Sequence, residues 1–210
     1  MMSRAIQIQS RHNSAIEEKK NLLKNIDRFS PLKLSPEAYV KDVLVSASDL
    51  AIYYGEKKGC SDLSFNIHQG DRIAVNGKNG CGNSTLLKLI CGQKLEYTGN
   101  INIGSQLKIL YVLQDTSELK GNLKDYIVSY GIDESLFKTI LRKLDFERIQ
   151  FEKKMEDLSE GQKKKILIAR SLCEKANLYI WDEPLNYIDI ISRMQIKELL
   201  LKYTLILIFV

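Results

Sequence analysis

Nine residues, 77–85, restrict the fold of this chain more than any other stretch. They read Gly-Lys-Asn-Gly-Cys-Gly-Asn-Ser-Thr, entered from an apolar strand (72–76) and left through an apolar helix (86–90). Strand, glycine-rich turn and helix form the context that a phosphate-binding loop requires. Gly77, Gly80 and Gly82 let the backbone turn tightly enough for successive N–H groups to face an anion, and the helix adds the positive end of its dipole. Position 83 departs from the pattern. Such loops end Gly-Lys-Ser/Thr, and Asn83 stands where the lysine belongs. A glycine-rich hairpin would explain the stretch by itself, but the motifs downstream sit at the spacing a nucleotide site needs.

Composition sets wider bounds. The chain of 210 residues is 44% hydrophobic and 27% charged, which suits a soluble globular protein with one core and a small appendage. A net charge of +5 and a pI near 8.9 are compatible with an anionic partner without deciding for one. Cys60, Cys81, Cys91 and Cys173 show no metal-ligand spacing and read as reduced cytosolic thiols. The N-terminus has no leader-like apolar core. The longest apolar run, 205–210, is too short to span a bilayer. A cytoplasmic protein without a transmembrane segment is expected.

Along the chain, residues 1–30 are polar and helix-prone. They carry six basic residues (Arg4, Arg11, Lys19, Lys20, Lys24, Arg28) against three acidic ones, and Ser30-Pro31 and Ser35-Pro36 then end the helix. A solvated amphipathic helix or linker is favoured there over a nucleic-acid contact. Residues 43–54 and 63–68 alternate as strands. Tyr53 and Tyr54 end the first; strand-end tyrosines more often pack at a core or edge, but one of these, Tyr54 by preference, could stack on a purine ring. Residues 99–103 and 107–112 read as another strand pair, followed by Gln114, which can give an oxygen to a metal and help position an attacking water. Residues 121–157 read as a solvated helical region, with helices at 123–130 and 134–144 and Asp133 as N-cap.

Ser159 and Gln162 stand in capping-box relation at the start of the next helix. The same helix start, with Gly161 allowing close approach, can present N–H groups to a phosphate. Lys163, Lys164 and Lys165 read as solvated charge. Residues 177–181 form a buried strand ending in Asp182-Glu183-Pro184. Two adjacent carboxylates there are costly unless a cation attends them. Asp182 would hold Mg²⁺, usually through water, and Glu183 would orient and polarise the water that attacks the terminal phosphate. Asp189 caps the helix 190–202, and 204–210 is a final strand.

In this order, these residues resemble the nucleotide-binding domain of the ATP-binding-cassette (ABC) superfamily over 43–210. The resemblance implies an α/β P-loop NTPase: a RecA-like core, an antiparallel β subdomain and a small helical subdomain at about 121–172. It assigns Tyr54 to the base and Gly77, Lys78, Asn79, Gly80, Cys81, Gly82, Asn83, Ser84 and Thr85 to the Walker A loop. Gln114 falls to the Q-loop, and Ser159, Glu160, Gly161 and Gln162 to the signature that faces a partner's ATP. Asp182 and Glu183 belong to the Walker B segment, with Glu183 catalytic, and Asp189 to the D-loop. Ser84, Gln114 and Asp182 would serve Mg²⁺.

Glu160 in the signature and 182–189 (Asp-Glu-Pro-Leu-Asn-Tyr-Ile-Asp) are similar to the ABC-F subfamily, in particular its Lsa/Vga-type antibiotic-resistance members. Those are soluble two-cassette proteins that act on the ribosome. The resemblance then implies a linker remnant at 1–40 and a second cassette at 41–210, ending before a histidine switch. Asn83 implies weak nucleotide binding and little hydrolysis. A lone loop and a lone signature imply a need for a second cassette, and a final strand with unfilled neighbouring positions implies an aggregation liability. An ATPase subunit of an ABC membrane transporter and a non-catalytic ribosome-binding remnant are the alternatives.

Overall fold

A computed structural model of the chain describes residues 32–33, 36–54, 57–78, 80–202 and 207–209. The side chains of residues 54, 57–58, 202 and 207–209 are outside that description. The expected helix in 1–30 therefore lies outside the described residues, as does Asn79. One compact unit starts at Leu32. Residues 37–39 are bound into it: the Glu37 N–H donates to Ala176 O at 2.8 Å, and the Tyr39 hydroxyl to Ser105 O at 2.8 Å.

Two sheets divide the strands. β1 (Val43–Tyr54) lies between β2 (Lys57–His68) and β4 (Glu96–Ile103) in an antiparallel sheet of order β2-β1-β4. β3 (Arg72–Ala74), β5 (Ile109–Val112), β6 (Leu178–Trp181) and β7 (Leu207–Phe209) form a parallel sheet of order β3-β7-β6-β5. Two sequence expectations are corrected here. The strands near 99–103 and 107–112 do not pair: β4 joins β1, whereas β5 joins β6 in the other sheet. Their hydrophobic patterns differ accordingly, with β4 mostly exposed and β5 alternating between two buried faces. The last strand is not short of neighbours either. β7 sits between β3 and β6, so both of its edges are paired and that aggregation argument falls away.

The helices follow from apolar periodicity and caps. α1 (Asn83–Ile90) buries Leu86, Leu87, Leu89 and Ile90. α2 (Leu123–Ser129) and α3 (Glu134–Lys143) build the helical region, with the Asp133 carboxylate accepting from the Leu136 N–H at 2.6 Å as N-cap. α4 (Glu160–Cys173) and α5 (Ile190–Lys202) complete the order.

β6 is buried along its whole length and divides two cores by strand alternation. Leu178 and Ile180 join the core under α1 and the antiparallel sheet. Tyr179 and Trp181 join the core formed with α4 and the helical region, which also holds Phe137, Leu141 and Leu144. Each core buries Leu and Ile side chains worth about 1.5–3 kcal/mol apiece, and the core with α4 adds Phe, Tyr and Trp. The end of β6 therefore emerges between two packed layers, and that is where its carboxylates stand.

Candidate functional site

The glycine-rich loop leaves β3 and winds into α1. Gly80 (φ 78°) and Gly82 (φ 99°) occupy the left-handed region that favours glycine. Gly82 is also the N-cap of α1, so no side chain caps that helix. The loop is packed from outside by two thiols. The Cys60 thiol donates to Cys81 O at 3.0 Å, and the Cys81 thiol to Asn83 Oδ1 at 3.2 Å. Burial, and then the neighbouring Cys81, push the Cys60 pKa up. A β-carbon added at Gly77 would lie 2.3 Å from the Cys81 sulfur and 3.1 Å from Asn83 Oδ1. Asn83 is thus folded back along the loop. The loop walls a cavity of about 620 Å³ with Gln114, Glu183 and Asn186. Among the described residues lining it, Lys78 is the one cation and Glu183 the one carboxylate. Tyr54 ends β1, but its side chain lies outside the described residues, so its stacking role is not visible.

Across the cavity stands Glu183, with Asp182 buried just behind the wall. Asp182 is only 1% exposed. Its carboxylate accepts from the Ser84 hydroxyl at 3.2 Å and the Tyr111 hydroxyl at 3.0 Å. Burial, followed by the Asp182 charge, pushes the Tyr111 pKa up, which keeps that hydroxyl a donor. Glu183 sits at φ 47° and accepts from Gln114 Nε2 at 2.7 Å and Asn186 Nδ2 at 2.6 Å. The fold therefore brings together Ser84, Gln114, Asp182 and Glu183, four side chains drawn from three distant parts of the sequence. The hydroxyl, amide-carbonyl and carboxylate oxygens among them are the hard donors Mg²⁺ selects. No group of three or more His, Cys, Asp or Glu that could hold a metal occurs among the described residues. Such an ion would need waters or phosphate oxygens to complete its shell, which is how Mg²⁺ is ordinarily held at nucleotide sites.

The lysines at 163–165 correct another expectation. Lys164 and Lys165 are 4% and 6% exposed rather than solvated. The Lys164 ammonium donates to Leu113 O at 2.7 Å and Asp182 O at 2.8 Å. Burial pulls its pKa down to about 8, against the pull of Asp182, Glu183 and Glu160. Lys165 pairs with Asp189 Oδ2 at 2.6 Å and donates to Asp145 O at 3.3 Å. Helical geometry carried the missing signal. Three successive residues fan across about 200° of a helix, and positions 161, 164/165, 168/169 and 172 form one buried stripe of α4.

At the start of α4 the capping box is complete: Ser159 Oγ accepts from the Gln162 N–H at 3.3 Å, and Gln162 Oε1 from the Ser159 N–H at 3.0 Å. A β-carbon on Gly161 would lie 2.2 Å from Tyr187 O, so the absent side chain admits this chain's own 183–189 turn. The close approach expected at Gly161 is, within this chain, that of the Tyr187 carbonyl. Glu160 accepts from the Thr116 hydroxyl and pairs with Lys163 at 3.2 Å. Those contacts, Thr116 first, hold its carboxyl below the usual range. Residues 159–162 do not line the 620 Å³ cavity. Asp189 takes the Ser192 N–H at 2.9 Å as the start of α5, besides its pair with Lys165. Sequence reading missed Tyr111, Thr116, Asn186 as a partner of Glu183, and both buried lysines.

Known proteins share this arrangement. The family model described as "ABC transporter" matches residues 60–186. The ATP-binding protein Uup of Buchnera aphidicola (from Schizaphis graminum) is 28% identical over 86% of this chain and 32% of its own length. The energy-dependent translational throttle protein EttA of Escherichia coli K12 is 29% identical over 82% of this chain and 32% of its own length. The chain thus spans about a third of the length of these curated relatives. An ABC transporter ATP-binding protein from Pyrococcus furiosus superposes with a TM-score of 0.65 at 22% identity, over 79% of this chain and 90% of that one. That likeness speaks for the fold. No helix among the described residues is long and apolar enough to cross a membrane.

Proposed function

The chain belongs to the ABC transporter family of ATP-binding domains, and from that premise we propose that it is an ATP-binding cassette of an ABC-F protein that works on the ribosome in the cytoplasm. One observation carries the nucleotide reading: the glycine loop, Ser84, Gln114 and Glu183 meet around one cavity, with Asp182 bonded to Ser84 just behind its wall. Similarity to EttA, a translational throttle by name, and to Uup supports the ABC-F branch.

In this reading the loop amides and the uncapped start of α1 bind the phosphates. Ser84, Asp182 and the Gln114 carbonyl would hold Mg²⁺, which would neutralise phosphate charge when bound. Glu183 orients the attacking water and takes its proton. Gln114 and Asn186, both donating to its carboxylate, set its direction. Asn83 supplies no cation. A lysine ammonium at that position would add a charge-assisted bond worth about 1.5–3 kcal/mol in the ground state, and its bond to the transition state would be worth about 10²–10³ in rate. Binding is therefore weak and turnover slow. Because 159–162 lie off the cavity, the signature serves a nucleotide held by a second cassette. ATP-driven closure of the paired cassettes would then set residence on the ribosome. Protection against large-subunit antibiotics is the outcome proposed for intact two-cassette relatives.

The test is a titration with labelled Mg-ATP. Asn83→Lys raises affinity about tenfold. No gain would mean that the phosphates lie elsewhere. Glu183→Gln removes whatever slow turnover remains. Sedimentation with ribosomes that responds to ATP supports the ABC-F branch. Co-purification with membranes would transfer the chain to the transporter branch, and ribosome binding indifferent to ATP would make it a non-catalytic module.

A further inference from the structure

We propose that Lys164 is a positioning residue that staples together the two strand ends from which the metal-binding and water-orienting groups project. The inference rests on the nucleotide reading of the cavity. The parallel ladder of β5 and β6 ends at Val112 beside Trp181, with the Asp182 N–H donating to Val112 O at 3.0 Å as its last rung. Beyond it the strands part, one towards Gln114 and the other towards Glu183. At that fork the Lys164 ammonium bonds the next carbonyl of each strand, Leu113 O at 2.7 Å and Asp182 O at 2.8 Å.

One buried cation thus replaces the rung that the backbone no longer makes, and it fixes the distance between the two strand ends. It also places positive charge behind Asp182, whose carboxylate, among the described residues, otherwise bonds the neutral hydroxyls of Ser84 and Tyr111. Burying an ammonium is unfavourable, and an apolar side chain in its place is often no less stable. A role limited to stability would therefore be poorly served by this residue, whereas three directional donors on a stiffened stem suit a staple. Lys164 rises from α4, the helix that starts at Ser159, so the staple also ties the cavity to the signature segment.

Lys164→Met and Lys165→Met are compared with the wild type in two measurements. Amide exchange in the nucleotide-free protein should quicken about tenfold at Asp182 in Lys164→Met, with the middle of β6 unchanged. Labelled ATP is then titrated with and without Mg²⁺. Lys164→Met should lose about tenfold of the tightening that Mg²⁺ provides while keeping its Mg²⁺-free affinity within twofold. Lys165→Met should lower the unfolding midpoint and keep the Mg²⁺ effect. Equal losses with and without the ion, or unaltered exchange at Asp182, would overturn the proposal. If Lys164→Met fails to fold, Lys164→Gln is read in the same way. Failure of both would make the residue a stabiliser only, again overturning it. A wild type that exchanges as described but takes up no nucleotide would instead refute the reading of the cavity.

Discussion

α1 and α4 both begin at segments the sequence marks as phosphate-facing, yet their first turns are built in opposite ways. α1 starts from a left-handed glycine with no side-chain cap and opens onto a cavity. α4 starts from a closed capping box, its second residue pressed against Tyr187 O and two lysines buried behind it. Helix N-termini leave about four N–H groups unsatisfied. At α1 no side chain of the chain takes them up, whereas at α4 the capping box already supplies partners for the Ser159 and Gln162 N–H groups. In the proposed reading the first start is a receptor and the second a rigid part for a partner's nucleotide to press against. A glycine in such a motif therefore has two physical uses: Gly82 gives conformational freedom, while Gly161 gives clearance.

Three substitutions bear on that contrast, in falling order of effect. Asp189→Asn retains a cap for α5 but leaves Lys165, whose side chain is 8% exposed, without its carboxylate. About 3 kcal/mol of stability should go in urea unfolding, the partial exposure of Asp189 trimming the figure for a fully buried pair. A pH series sharpens this. Burial alone would raise the Asp189 pKa, but Lys165 and the Ser192 donors outweigh it and hold the carboxyl below its ordinary value. A depressed carboxyl stabilises fully above about pH 4 and loses its contribution as pH falls through the lowered value. The wild type should weaken below about pH 4, and Asp189→Asn should show a smaller acid loss.

Gly161→Ala comes next. Better helix propensity favours alanine by about 1 kcal/mol, but the new methyl meets a backbone oxygen that has no rotamer to yield, and such overpacking costs about 1–3 kcal/mol. A net loss of up to about 2 kcal/mol is expected. A stabilised variant would show that the turn at 187 is not held against α4. Ser159→Ala should cost about 1 kcal/mol and leave nucleotide affinity of the isolated chain unchanged, because that cap does not line the cavity. An effect of Ser159→Ala on affinity would break the distinction between the two helix starts.

Much of this was readable in the residues. The strand–loop–helix at 72–90, the order of the strands along the chain and the carboxylates at the end of β6 follow from local pattern, since period-2 and 3.6 alternation and glycine placement are properties of neighbours. The antiparallel location of β4 was not readable, because alternation does not name a partner. Nor were Tyr111 and Lys164: each matters through an atom a whole element away, and a lysine carries the same letter whether its ammonium meets water or two carbonyls.

The parallel sheet has one further consequence. Among the described strands, β3, which delivers the glycine loop, is hydrogen-bonded only to β7, which follows the other described elements along the chain. During synthesis the strand leading to the loop waits for β7, its one described sheet neighbour, until the strands and helices between them have been made, and joining segments so far apart carries a large closure entropy. The loop is among the earlier parts of the cassette to be translated and, by this topology, among the last to be braced. A nascent chain would gain its grip on triphosphate only once both cores stand, which spares the cell a half-built cassette clutching ATP.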